Sequence, residues 1–165
     1  MFSSSGPLYE CRPYGTACLI SRAGVTVHTF DEDAVLSVLE VGADGLEHGV
    51  VNQRLSSDRV IALLQKIHAT YVPTLWILGA EVTYTNLKAV SDAGVRVALG
   101  TDTFYGHGHF GDNTIAEAER AVQAGLAPGQ VLRMATQEAA EHLGPSGWGG
   151  SRPGSSWICS WSMAT

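Results

Sequence analysis

From Gly24 onward, short β-branched or apolar runs alternate with longer stretches whose apolar residues recur at helical spacing. VTVHTF (25–30) alternates in the manner of a strand, and DEDAVLSVLEVGA (31–43) places Ala34, Val35, Val38 and Leu39 on one helical face. Asp31 suits the N-cap of that helix and Gly42 its end. GLEHGV (45–50) predicts a second strand, and SSDRVIALLQKIHAT (56–70) a second helix capped by Ser56 or Ser57. YVPTLWIL (71–78) predicts a third strand, with Pro73 tolerable near its start. Residues 84–93 predict a third helix ending at Gly94, and VRVALGTD (95–102) a fourth strand. Helices are predicted over 113–125 and over 128–144, the latter with Pro128 in its first turn and Gly144 past its end.

Strands that alternate with helices imply a parallel sheet with crossover connections. An eight-stranded β/α barrel typically needs about 250 residues, whereas this chain of 165 supplies four units. The expected fold is therefore α/β: either a small open sheet or half of a TIM-type (β/α)8 barrel. The regular region spans 20–144. Residues 1–19 show no period and are expected to be irregular, as is the tail 145–165, which is rich in Ser and Gly and holds three of the four tryptophans. Reading Trp157 to Ala164 from each codon's third base permits Val-Asp-Leu-Leu-Val-Val-Asp-Gly, a good strand, so a slipped reading frame after about Leu143 is expected for this tail. The nucleotide sequence decides that point.

A hydrophobic content of 45% and a charged content of 16% fit a globular domain. The formal net charge of −6, without a basic run, argues against a nucleic-acid partner. No apolar stretch approaches a membrane span, and the N-terminus has neither the charged nor the apolar region of a signal peptide. Cys11, Cys18 and Cys159 form neither a disulfide framework nor a zinc knuckle, so a reducing cytoplasm is the expected compartment.

The chemistry lies at the strand ends. His28 closes the first strand, His48 the second and Asp102 the fourth. Parallel strands feeding one face would bring all three to a common rim, as active sites are built at the carboxyl ends of barrel strands. One strand-end histidine alone is most often a structural hydrogen-bonder. Two imidazoles and a carboxylate at matching positions form a mixed N/O set suited to zinc or a similar divalent ion. Asp102 could then carry the proton for a hydrolysis. Glu47, next to His48, should face the opposite side of its strand and pack or pair structurally. His68 and His142 lie within helices. There is no GxSxG elbow or Walker loop, and GHGHFG lacks the context of a dinucleotide fingerprint.

VTVHTFDEDAVLSVLEVGADGLEHGV, YVPTLWIL, AGVRVALGTDT and AERAVQAGLAPGQVLRMATQEAAEHLG together resemble the amidohydrolase superfamily, nearest its imidazolonepropionase and Xaa-Pro dipeptidase-like branch. The resemblance covers roughly residues 22–144. It implies that His28 and His48 are the metal histidines of strands five and six. Asp102 would be the strand-eight aspartate that binds metal and shuttles the proton. It also implies one or two divalent ions, zinc first among them, and a small-molecule substrate. His107, in the loop YGHGHFGDN after the fourth strand, would be a substrate-pocket residue, although exposed loop histidines read equally simply. The superfamily also carries a His-x-His pair on strand one and, in binuclear members, a lysine on strand four. Neither has a counterpart here, since Lys66 and Lys88 fall in predicted helices. The usual asparagine of the last helix is Glu138.

The resemblance thus implies hydrolysis of an amide, cyclic amide or dipeptide-like C–N bond by metal-activated water. The alternative is an inactive fragment that lacks half of its site and self-associates through open barrel edges. An independent α/β binding module is a weaker expectation, because HTFDED is acidic where a phosphate-cradling turn should be neutral or basic.

Overall fold

The structure is a computed structural model that describes residues 24–55, 58–104 and 108–143 fully, together with the backbone of Leu8–Cys11 and Thr16–Leu19. Those last two segments are strands, β1 and β2, paired antiparallel with Leu8 opposite Leu19 and Cys11 opposite Thr16. The irregular structure expected over 1–19 is corrected there: the period is too short for a pattern to show. The candidate caps Ser56 and Ser57, and the whole tail after residue 143, lie outside the described residues.

The centre is a parallel sheet in the order β3 (Thr26–His28), β4 (Gly45–Glu47), β5 (Thr70–Val72). Residues 95–98 extend it as a fourth member: Val97 bridges Tyr71 in parallel, with the Tyr71 N–H donating to Arg96 O (2.9 Å) and the Ala98 N–H to Tyr71 O (3.0 Å). Sequence order and spatial order therefore agree, as they do along one side of a β/α barrel. The helices α1 (Glu32–Glu40), α2 (Asp58–Ile67), α4 (Glu81–Asp92) and α5 (Asp112–Gln123) fill the connections, with a single turn α3 (Leu75–Leu78) directly after β5. Asp31 caps α1 as expected, its Oδ1 accepting the Ala34 N–H at 2.9 Å.

Two predicted strands are shorter than their sequences suggest. YVPTLWIL is a strand only to Val72, because Pro73 removes a ladder donor and Thr74 turns left-handed (φ 48°, ψ 50°). Four apolar residues in a row fit a buried helical turn as well as a strand, and here the turn wins. Residues 95–102 pair only around Val97, and beyond Gly100 the chain departs from its neighbour.

The sheet has two different faces. Val27, Leu46, Tyr71 and Val97 share register and side, and Leu46, Tyr71 and Val97 join Val35, Leu39, Leu64, Leu87, Val90 and Ala121 in a buried core. The other, inner face carries Thr26, His28, Gly45, Glu47, Thr70 and Val72. In a closed barrel that face would look into the barrel. Here the last helix lies against part of it. This helix, expected as one piece over 128–144, is α6 (Pro128–Arg133) and α7 (Ala139–His142), joined by a wide π-type turn at Met134–Glu138. Arg96 reaches Glu138 (3.5 Å) and Glu141 (3.3 Å), and the Leu99 N–H donates to Met134 O (3.0 Å). The His142 ring fills the space beside Gly45, where a Cβ would come within 2.5 Å of it. Glu138, the departure from the superfamily pattern, thus serves as an ion-pair partner to the inner face.

Leu46 is 1% exposed at the centre of β4, between both neighbouring strands. Leu46→Ala should cost about 2–5 kcal/mol by leaving a cavity that the sheet cannot collapse, whereas Asp31→Ala should cost only about 1 kcal/mol by loss of the cap. Denaturant melts of the two variants check this order.

Candidate functional site

Parallel register sets the site. His28, Glu47 and Val72 are level across β3, β4 and β5, so the residues just beyond them emerge at one rim. His48 follows β4 with φ 65°, Thr74 follows β5 with φ 48°, and Asp102 has φ 51°. Left-handed backbone is uncommon for residues other than Gly, Asn or Asp and costs about 1–3 kcal/mol where it is held. Its recurrence at successive strand ends concentrates strain at this rim.

Around His48 the hydrogen bonds that hold the conformation are visible. Its N–H donates to Val72 O (2.8 Å), and its carbonyl accepts the Tyr71 hydroxyl (3.1 Å). Burial and, after it, the charge of Glu117 keep Tyr71 a neutral phenol well above its ordinary range, so that donor persists. The next residue, Gly49, has φ 75°, and a Cβ there would lie 2.3 Å from the Tyr71 ring. The left-handed step at His48 also overturns the expectation for Glu47. Alternation should separate neighbours to opposite faces, but the reversed backbone brings both to the same cavity of about 190 Å3, lined by His28, Glu47, His48, Thr74, Gly100 and Asp102. Glu47 is structurally paired there, as expected, accepting from the Thr26 hydroxyl at 2.7 Å.

The structure brings His28, His48 and Asp102 together. His48 is 2% exposed; its Nε2 lies 2.7 Å from His28 Nδ1 and 3.9 Å from Asp102 Oδ2, and its Nδ1 lies 2.5 Å from Thr74 Oγ1. Burial first, and then His28, hold the His48 imidazole below its ordinary pKa against the opposing pull of Asp102, so the ring is neutral near pH 7. Phe30 walls the pair, stacked on His48 (5.2 Å between centroids, 14° between planes) and edge-on to His28 (4.4 Å). His107 lies outside the described residues.

Thr74, Phe30 and Glu117 were not singled out by sequence. Glu117 is fully buried in α5, and its two carboxylate oxygens accept the N–H groups of Leu75 (2.8 Å) and Trp76. Its signal was present: Asn113, Glu117 and Ala121 form an i, i+4, i+8 stripe, and a carboxylate in the middle of a core-facing stripe needs a buried partner. The larger cleft, about 610 Å3, lies at the opposite, amino-terminal ends of the strands among Gln65, His68, Arg96 and Arg133. It is away from the imidazole pair, and its Arg96 is already engaged by Glu138 and Glu141.

In donor type the rim fits a divalent cation: two imidazoles meet with a carboxylate beside them. In number it falls short. Among the described residues no group of three or more His, Cys, Asp or Glu is disposed to hold an ion by itself. His28 and His48 turn their facing nitrogens on each other.

A family model described as "Amidohydrolase family" matches residues 4–154. Solved structures share the fold. Ochratoxinase from A. niger superposes with TM-score 0.68 at 23% identity, over 81% of this chain and 34% of that one. A Xaa-Pro dipeptidase with methionine bound in its active site superposes with TM-score 0.65 at 21% identity, over 80% and 37%. An amidohydrolase gives TM-score 0.60 at 24% identity, over 76% and 34%. The chain thus spans about a third of the length of these structures. A comparison with curated protein sequences finds no match.

Two outcomes test this geometry. Gly49→Ala should lose more than about 2 kcal/mol, since it combines a left-handed backbone with a clash against Tyr71. A thermal melt near the wild-type value would refute the fit. Burial, the leading cause, raises Glu117 to about 7 from 4.5, while the Leu75 and Trp76 N–H groups and Arg120 oppose it. The folded state then favours the protonated acid, so its contribution is greatest below pH 4.5 and declines as pH rises to about 7. The stability of wild type relative to Glu117→Gln should fall over that window by a few kcal/mol at most, at ~1.4 kcal/mol per pKa unit. A difference that stays flat with pH would contradict the assignment.

Proposed function

Because the chain belongs to the amidohydrolase family, a family of metal-dependent hydrolases, we propose that it supplies the strand-five-to-eight side of a site that hydrolyses an amide, cyclic amide or dipeptide-like C–N bond. The observation that supports this most directly is the convergence of His48 Nε2 on His28 Nδ1 at 2.7 Å and Asp102 Oδ2 at 3.9 Å. In this reading His28, His48 and Asp102 are ligands to a divalent ion, with zinc the first candidate for a set of imidazole and carboxylate donors. Such an ion would polarise the scissile carbonyl and make water a usable nucleophile near neutral pH.

The chain's own residues do the remainder. His48, neutral and buried, offers a ring nitrogen instead of a competing positive charge. Asp102, with its side chain half exposed, can reach both solvent and the imidazole pair. It takes the proton from the attacking water and returns it to the departing nitrogen, so that one C–O bond forms as one C–N bond breaks. Phe30 packs against both rings, and His107 keeps the substrate-contacting role that the resemblance implies.

A second reading, a catalytically silent portion without the strand-one His-x-His and strand-four lysine, is favoured by the want of any three-residue metal group among the described residues. Zinc titration of the purified chain by calorimetry separates the two. The active reading expects stoichiometric binding, weakened about 100-fold by His28→Ala and about 10-fold by Asp102→Asn. Heat traces without binding, in a chain whose circular dichroism shows it folded, would favour the silent reading.

A further inference from the structure

We propose that Glu117 is a positioning residue for the imidazole pair: through the first turn of α3 it holds the Thr74 hydroxyl against His48 Nδ1. The proposal rests on reading His48 as a metal ligand.

The chain of contacts is continuous. β5 ends at Val72, and Thr74, 1% exposed and left-handed, precedes the four-residue turn Leu75–Leu78. A β-branched residue resists that backbone, and so short a helix has little cooperativity to impose it. The constraint comes from α5. Glu117 accepts both the Leu75 and the Trp76 N–H, while Arg120 donates to both carbonyls, Leu75 O at 2.6 Å and Trp76 O. The Arg120 guanidinium also lies 4.9 Å from the Trp76 ring centroid. Two successive peptide units are thus gripped at their donor and acceptor ends by one turn of one helix. Thr74 Oγ1 then sits 2.5 Å from His48 Nδ1. With Nδ1–H donating to that oxygen, the lone pair of Nε2 faces His28 and Asp102, the arrangement that a metal ligand requires. Without the grip, Thr74 can relax toward extended backbone, and its hydroxyl no longer selects the tautomer.

The test uses the full chain, labelled with 15N, at pH 8. Long-range 1H–15N spectra of His48 should show protonated Nδ1 and unprotonated Nε2 in wild type. Glu117→Gln keeps the volume but loses one of the two acceptors, so His48 should become a tautomer mixture and zinc affinity should fall about 10-fold. Leu39→Ala, a core loss in α1 remote from this turn, should leave both readouts unchanged. Should Glu117→Gln fail to fold, Arg120→Met, at a partly exposed position, should shift the His48 signals in the same direction. The proposal is overturned by unprotonated Nδ1 in wild type. It is equally overturned by wild-type spectra and affinity in Glu117→Gln, or by an equal effect of Leu39→Ala. If wild type binds no zinc, the metal reading fails, and the His48 tautomer alone decides the role of Glu117.

Discussion

The level pairing of His28, Glu47 and Val72 across three parallel strands is the constraint on which the rest depends. A parallel ladder offers no slack in register, because a shift of one residue would turn every core-facing side chain outward. Leu46 and Tyr71, fully enclosed on the helix face, hold that register by burial. The strands are only three residues long, so the rim residues follow directly upon the pairing. Core packing on one face therefore fixes where the chemistry stands at the end of the sheet.

Packing alone would alternate the side chains, and alternation would give this rim fewer functional groups. The left-handed step at His48 breaks it, adding a side chain from a position that a regular strand would turn away, and Thr74 and Asp102 beside it are left-handed as well. Each such step needs support. At His48 it comes from the Tyr71 hydroxyl and the Val72 carbonyl, and at Thr74 from the peptide units gripped by Glu117 and Arg120. Tyr71 serves twice, as a core side chain and as a hydrogen-bond donor. Its burial thus joins stability to site geometry: weakening the core at Tyr71 would loosen His48 as well.

What could be read in the sequence divides along the same line. The alternation of strands and helices was legible because periods of two and 3.6 are written in apolar positions, and so was the capping by Asp31. The nearness of His28, His48 and Asp102 followed from their matching places at strand ends. Glu47 could not be placed correctly, because a positive φ at His48 leaves no periodic trace. YVPTLWIL read as one strand because a continuous apolar run does not distinguish strand from buried helix; Pro73 marked the true end. Glu117 lay within a visible stripe, but its partners are peptide groups 41 and 42 residues distant, and backbone groups have no sequence signature.

The last helix shows how part of the inner face is satisfied. Arg96 belongs to that face, and an unpaired charge there would be costly to cover. Glu138 and Glu141, one helical turn apart on α7 and the turn before it, meet its guanidinium from one side. The outer edge of residues 95–100 has a free donor in Leu99 N–H, and the carbonyl of Met134 accepts it. The π-type turn that begins at Met134 widens the helix at this point, so one segment can bond the sheet edge while the next carries His142 across to Gly45. A straight α-helix would have to choose between the edge and the face. The sheet thereby acquires a polar, hydrogen-bonded cover near its amino-terminal end, and the rim bearing His28, His48 and Asp102 is left open at the other.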